Sequence, residues 1–367
     1  MVPEPTSGTG PLTMDICRST LGHIRNDWPL IFPLKDEVLM LVWCEYYTTQ
    51  PSRVLREPYE PMVSGDWYPC RISGKVSTDR GWSWSETITL QDNVEALNVK
   101  HPNLLRLASN PDEILFIYTV RYTEWKEIRV FMKRSNDECE TWGPSEQISS
   151  LPGIHYLMAD RILQLDSGRI ILPTFHSESG LPFDAFCYYS DDDGRSWGAS
   201  ETRMGLPGHG AQEPSVAVLR DGSLLAVLRT SLGTLHRSNS YDEGENWTQP
   251  VSTGLPSPAS TPLLKRIPTT GDLLLIWNHV YDPDHADFQN GHGPRDPLTM
   301  AISRDEGESW ENVKDIESRP GGASSTPAVT FVGDEVLLTY NTQGVRLPEH
   351  EKMGIRLKII PVEWFNQ

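Results

Sequence analysis

Ser190-Asp191-Asp192-Asp193-Gly194-Arg195-Ser196-Trp197 is the stretch that decides the fold, because it recurs. Reduced to Ser-x-Asp-x-Gly-x-Ser/Thr/Asn-Trp, it returns at Ser77-Asp79-Gly81-Trp84, Ser240-Asp242-Gly244-Trp247 and Ser303-Asp305-Gly307-Trp310. A fifth copy, Ser135-Asp137-Cys139-Trp142, carries cysteine in place of glycine. The starts, at residues 77, 135, 190, 240 and 303, lie 50 to 63 residues apart. The unit has the chemistry of a hairpin turn. The Asp carboxylate accepts hydrogen bonds from the N–H groups of its own turn. Gly supplies the positive φ that such a turn needs, and Trp covers the hairpin with a large apolar face. One acidic turn would also suit calcium or a sugar; five in register build a fold.

The text between the turns repeats too. Leu104 to Leu107 precedes Ile114 to Tyr118, and Ile162 to Leu165 precedes Ile170 to Pro173 across Asp166-Ser167-Gly168. The pattern continues with Ser215 to Leu219 then Leu224 to Arg229, and Leu263 to Ile267 then Leu273 to Asn278. Short apolar runs between turn signals, with no helical period, predict an all-β chain. About four strands per repeat predicts a propeller blade. Leu30 to Tyr47 supplies two inner strands of the first blade. Val329 to Val332, Val336 to Tyr340 and Ile355 to Val362 supply a last one, closed by the N-terminal residues 1–20. The expectation is a six-bladed β-propeller forming a single domain over residues 1–367.

Composition narrows the function. With 50 acidic and 32 basic side chains in 367 residues, the formal charge is −18. That balance argues against nucleic acid or an anionic membrane as partner. No apolar run reaches the roughly 18 residues of a membrane span. The first fifteen residues have neither a basic start nor an apolar core, so no secretory leader is visible and the compartment stays open. Five scattered cysteines suggest neither a zinc site nor a disulfide framework. The loop Asp282 to His292 holds carboxylates and imidazole without metal-motif spacing, and reads as a solvated insertion. No metal and no cofactor is expected.

In a propeller, residues before the first strand of each blade and after the second share one mouth. Before the first strand stand Arg25, Asp27, His101, Asp160, Arg161, Glu213, Thr261, Ser325 and Thr326. After the second stand Glu45, Tyr46, Arg121, Tyr122, His176, Arg229, Asn278, His279 and Asn341. Such a crowd of arginines in an acidic chain points to an anionic ligand, since guanidinium holds a carboxylate through two parallel bonds. Asp160 and Arg161 are expected to pair at the mouth.

The repeated turns and the blade pattern resemble the sialidase superfamily from about Arg25 to Trp364. Gln212-Glu213-Pro214-Ser215 followed by Arg229 resembles the segment in which a glutamate begins one strand and a triad arginine ends the next. Arg295, in Pro294-Arg295-Asp296-Pro297, and Arg25, in Arg25-Asn26-Asp27-Trp28-Pro29, stand where the family keeps its other two arginines. Asp66 falls in the region that carries the family's acid/base aspartate. The resemblance implies an exo-acting glycoside hydrolase for a terminal acidic sugar. Arg25, Arg229 and Arg295 would hold the carboxylate, Glu213 and Asp66 would handle protons, and His176 and Asp160 would stand in reserve. One departure is plain: Gly321-Gly322-Ala323-Ser324-Ser325-Thr326-Pro327 has no tyrosine where the family keeps its nucleophile. Tyr340, one strand later, is placed by alternation in the blade rather than the cavity.

Two other functions compete. His101, His176 and His279 at the mouth, with His155 and His209 in the loops leading to it, would suit proton abstraction α to a uronate carboxylate. Together with Tyr46 or Tyr122 they describe a lyase, its arginines lowering the cost of carbanion character. A non-catalytic carbohydrate-binding propeller is the third reading, and the missing tyrosine favours it.

Overall fold

The computed structural model describes residues 10–20, 22–47, 68–94, 96–123, 127–282, 294–343 and 353–366. These are all β apart from turns and one 3-10 helix, Val362–Asn366. In chain order the strands begin with β1 (Leu12–Cys17). Next come β2 (Arg25–Pro33), β3 (Leu39–Tyr46), β4 (Cys70–Ser77) and β5 (Ile88–Gln91), which form one four-stranded sheet. A nine-stranded sheet holds β6 (Asn98–Arg106), β7 (Ile114–Arg121), β8 (Ile128–Ser135), β9 (Glu146–Gln147) and β10 (Ile154–Tyr156). It continues through β11 (Leu163–Gln164), β12 (Ile170–Ser177), β13 (Asp184–Ser190) and β14 (Gly198–Ala199). Two more four-stranded sheets follow. One is β15 (Gln212–Val218), β16 (Leu224–Arg229), β17 (Thr234–Ser240) and β18 (Val251–Pro256). The other is β19 (Leu263–Arg266), β20 (Leu273–Trp277), β21 (Leu298–Ser303) and β22 (Glu311–Glu317). The last sheet joins β23 (Ala323–Val332), β24 (Glu335–Gln343) and β25 (Gly354–Pro361) to β1. The four four-stranded sheets are meandering blades in a propeller arrangement. As the sequence suggests, the N-terminal strand completes the last of them, with Leu12 opposite Ile359 and Cys17 opposite Ile355.

Burial explains why periodicity fades toward the inside. Every residue of β3 and β7 is buried, because a second strand is covered on both faces by its neighbours. Such strands read as unbroken apolar runs. Outer strands face water on one side: β22 mostly alternates exposed and part-buried, and β18 has no buried residue. Each apolar side chain the inner strands bury contributes about 1.5–3 kcal/mol.

The repeated turns have the geometry their residues imply. Ser190 Oγ donates to Asp192 Oδ1 (2.9 Å) and accepts from Gly194 N (2.8 Å). Asp192 Oδ1 also accepts from Ser196 N (2.8 Å), and Trp197 Nε1 donates to the Gly194 carbonyl (3.1 Å). Each turn has two successive positive φ values, as in Asp193 (59°) and Gly194 (78°). In the odd copy Cys139 adopts φ 70° at a cost that glycine avoids, and Trp142 Nε1 has no partner among the described residues.

A second repeat lies on the innermost strands. In β2, β6, β15 and β23 the ladder slips at one bulge, between Asp27 and Leu30, Lys100 and Asn103, Gln212 and Ser215, and Ser325 and Ala328. At each bulge one non-glycine residue has positive φ and proline follows: Trp28 (48°), His101 (58°), Glu213 (49°) and Thr326 (52°). Asp160 (59°) takes the same conformation shortly before β11. Proline lacks a ladder donor and is tolerated at a bulge, and the bulge re-aims the side chain beside it.

Candidate active site

The bulges bring together residues far apart in sequence. Arg25 opens β2 and donates to Asp27 Oδ2 through Nε (3.0 Å) and Nη2 (2.6 Å). Its guanidinium also lies 4.8 Å from the ring centre of Trp28 and 4.9 Å from that of Tyr46. Asp27 Oδ1 accepts from Trp28 N (2.8 Å), Asn341 Nδ2 (2.7 Å) and Thr326 Oγ1 (3.1 Å), binding the first sheet to the last. Asn341 Oδ1 in turn accepts from Ser325 Oγ (2.8 Å), and Ser325 Oγ accepts from Arg295 Nη1 (3.4 Å). The Arg295 carbonyl accepts from Ser324 N (2.8 Å), fixing the segment ahead of β21 against β23. Across the site, Arg229 at the end of β16 donates from Nη1 to Glu213 Oε1 (2.6 Å). Thr261 Oγ1 donates to Glu213 Oε2, so both carboxylate oxygens are held.

Electrostatics tie the two halves into one site. Loss of hydration brings the Arg295 guanidinium down to about 10, and repulsion from Arg229 and Arg25 adds to it. Attraction to Glu213 and Asp27 opposes this. Among the described side chains that act on Arg295, three guanidinium groups meet two carboxylates. Arg229, 9% exposed, keeps an Nε with no partner among the described residues.

Other expected residues have different duties. Arg161 and Asp160 do not pair through their side chains. The Arg161 guanidinium donates to the carbonyls of Ala159, Pro262 (2.9 Å) and Pro327 (3.2 Å), so it bolts three sheets together. Burial brings it down to about 10. The Asp160 carboxylate accepts from Lys265 Nζ (2.8 Å) and Val329 N (3.0 Å). Asn278 Nδ2 donates to the carbonyls of Pro297 (2.9 Å) and Ser324 (3.0 Å), a structural clamp behind Arg295. His101 is buried, with Nδ1 on Thr119 Oγ1 (2.9 Å) and its ring edge-on to Trp28. Arg121 is buried and donates to the Thr123 carbonyl, while Tyr122 is 38% exposed. His279 packs on Trp277. His176 lies against His155 and its Nε2 donates to the Pro152 carbonyl (2.8 Å), contacts outside the arginine group. Asp66 and most of the Asp282–His292 loop lie outside the described residues.

Tyr340 is indeed in the sheet rather than the site: it is fully buried and its hydroxyl donates to Glu317 Oε2 (2.6 Å). No group of three or more His, Cys, Asp or Glu side chains suited to a metal occurs among the described residues. Nor does any described helix have the length and apolarity to cross a membrane. Sequence reasoning missed Trp28 and Lys265. The dipeptides Trp28-Pro29, His101-Pro102, Glu213-Pro214 and Thr326-Pro327 were the signal that would have found the first.

The BNR repeat-like domain family matches residues 70–338. The chain belongs to that family. Among curated relatives, this BNR repeat-like protein is 30% identical over 132 residues to the anhydrosialidase of Macrobdella decora, covering 33% of this chain and 16% of that protein. It is 24% identical over 256 residues to a probable oligoxyloglucan-reducing end-specific xyloglucanase of Neosartorya fischeri, covering 67% of this chain and 28% of that protein. The chain therefore spans less than a third of the length of either relative. Among solved structures, the NanB sialidase of Streptococcus pneumoniae superposes with a TM-score of 0.69 at 13% identity, covering 97% of this chain and 71% of that one. The propeller is thus of the sialidase type.

Proposed function

We propose that this BNR repeat-like protein is an exo-acting glycoside hydrolase for a terminal sugar that bears a carboxylate. The reading takes the nine-stranded sheet as two blades joined through β10, making one six-bladed propeller domain. The single observation that carries the function is the charge count around Arg295. Arg25, Arg229 and Arg295 face Asp27 and Glu213, and one substrate carboxylate completes the neutralisation. A guanidinium already fixed by its own carboxylate keeps its remaining donors aimed at a ligand, so little ordering entropy remains to be lost on binding. In this reading Asp27 orients Arg25 and Glu213 orients Arg229. As substrate draws Arg229 away, Glu213 takes a proton from the water that bonds to the anomeric carbon, and Asp66 protonates the leaving oxygen as the glycosidic bond breaks. Because Gly321–Pro327 offers hydroxyls of Ser and Thr rather than a phenol, the reading does not include a tyrosine-linked intermediate.

The uronate lyase reading loses its main support, since His176 is engaged with His155 and His279 with Trp277. Mass spectrometry of products from a panel of sialosides and uronate-terminated oligosaccharides tests the proposal. Cleavage products that together carry one added water are expected. Arg229→Ala is expected to lower kcat/KM by about a hundred- to a thousandfold. A product pair without added water, or an Arg229→Ala variant as active as the parent, would overturn it.

A further inference from the structure

A cavity of about 230 Å³ opens at the end of the last sheet, where β24 finishes and β25 starts. Asp15, Cys17, Arg18, Arg319, Met353 and Arg356 are among the residues that line it. Among the described residues, three guanidinium groups meet the Asp15 carboxylate in the lining and the Glu317 carboxylate behind Arg356, a local excess of one positive charge in a chain whose total is −18. Arg356 is fixed, with Nε on Asp15 Oδ1 (2.7 Å) and Nη1 on Glu317 Oε1 (3.2 Å). Arg18 is held only loosely, 3.6 Å from Asp15 Oδ2. The Arg319 side chain has no ion pair or hydrogen bond among the described residues, although its backbone N–H is anchored on Asp296 Oδ1 (2.6 Å). Donors are therefore present in excess of acceptors. Cys17, Met353 and Ile355 contribute an apolar surface, so the cavity matches a sugar ring that carries an anionic group.

Its position gives the ligand class. Met353 lines the cavity, and its Sδ accepts from Asn341 Nδ2 (3.4 Å), the same amide that binds Asp27 Oδ1. The Met353 carbonyl accepts from Asn26 N (3.1 Å), next to Arg25. Met353 and Asn341 thus link the cavity to the Asp27–Arg25 pair of the active site. We propose that the cavity is a second anion subsite. It takes a carboxylate or sulfate on the residue next to the terminal acidic sugar, so the preferred ligand is a glycan with two neighbouring acidic groups. This rests on the reading of the Arg25, Arg229 and Arg295 group given above, and deepens it.

The test compares dissociation constants for two disaccharides, digalacturonate with two carboxylates and a galacturonosyl-galactose with one. The parent is expected to bind the diacid about tenfold more tightly, the worth of one charge-assisted contact. Arg18→Ala/Arg319→Ala should bring that ratio to about one and leave the monoacid constant unchanged, whereas Arg229→Ala should weaken both ligands. A parent that does not distinguish the two, or a double variant that keeps the full ratio, would overturn the subsite. A selenate soak separates this from failure of the main reading. An anomalous peak between Arg18 and Arg319 that the double variant loses supports the subsite even if Arg229→Ala changes nothing. A peak missing from the parent counts against the subsite alone.

Discussion

Two repeats run through this molecule, and both force the backbone to positive φ. In the outer turns the conformation is shared and so is the chemistry: Ser, Asp, Gly and Trp return with little change. In the inner bulges the conformation is shared but the side chain is different each time, being Trp28, His101, Glu213 or Thr326. Glycine relieves the strain in four of the five turns, yet none of the bulges uses it. Non-glycine residues held at positive φ cost roughly 1–3 kcal/mol each, and such strain gathers where side-chain direction matters. The difference separates what the repeat is for: the outer turn builds each sheet, and the inner bulge aims one side chain toward its neighbours.

The largest effect that would break this division is at Glu213. Glu213→Ala leaves Arg229 buried without its counter-charge and is expected to cost about 3–5 kcal/mol in urea unfolding. A cost below 1 kcal/mol would mean that the bulge residue does not hold the arginine. Next comes the glycine of a turn. A Cβ at Gly194 would stand 3.1 Å from Leu115 Cδ1 at φ 78°, so Gly194→Ala should lose about 1–2 kcal/mol. The opposite exchange at a bulge should be nearly free. Thr326→Gly removes strain of about 1 kcal/mol and loses the bond to Asp27, so stability should move by less than about 1 kcal/mol while turnover falls. If Thr326→Gly destabilised as much as Gly194→Ala, the two repeats would have one role.

The smallest effect is a pH dependence confined to the turns. The Ser196 hydroxyl and amide, with the Ser190 hydroxyl, bring the Asp192 carboxyl down to about 2 from its usual 3.8. Ser309 does the same at Asp305, also to about 2. A carboxyl depressed in the folded chain stabilises above about pH 4 and loses that contribution as pH falls toward 2. The urea midpoint should therefore decline over that window, and Asp192→Asn should flatten part of the decline. A parent and variant with parallel curves would remove the turn carboxylates from the acid response.

The outer repeat could be read in the sequence because its residues are local: Ser190, Asp192, Gly194 and Trp197 bond to one another across seven positions. The end-closing role of β1 was legible for a similar reason, since the last segment has three strands and needs a fourth. β10 was not. It has three residues and meets β8 through the single pair Ile154 and Ile128, which leaves no period to detect. Mouth positions put Arg25, Asp27, Glu213 and Arg229 on one list, and the family resemblance added Arg295 to them. The duties of Arg161 and Asp160 were not, because their partners are carbonyls and an ammonium group on other sheets, Pro262, Pro327 and Lys265. Nothing local distinguishes an arginine that meets a carbonyl from one that meets a ligand.

The pairing of β1 with β25 has a mechanical consequence. The strands are antiparallel, with Leu12 opposite Ile359, so the chain enters and leaves the pair at the same end. Tension applied between the two termini would load the hydrogen bonds one after another, from Leu12 toward Cys17. The last sheet would peel open like a zipper at low force, well before the inner strands felt the pull.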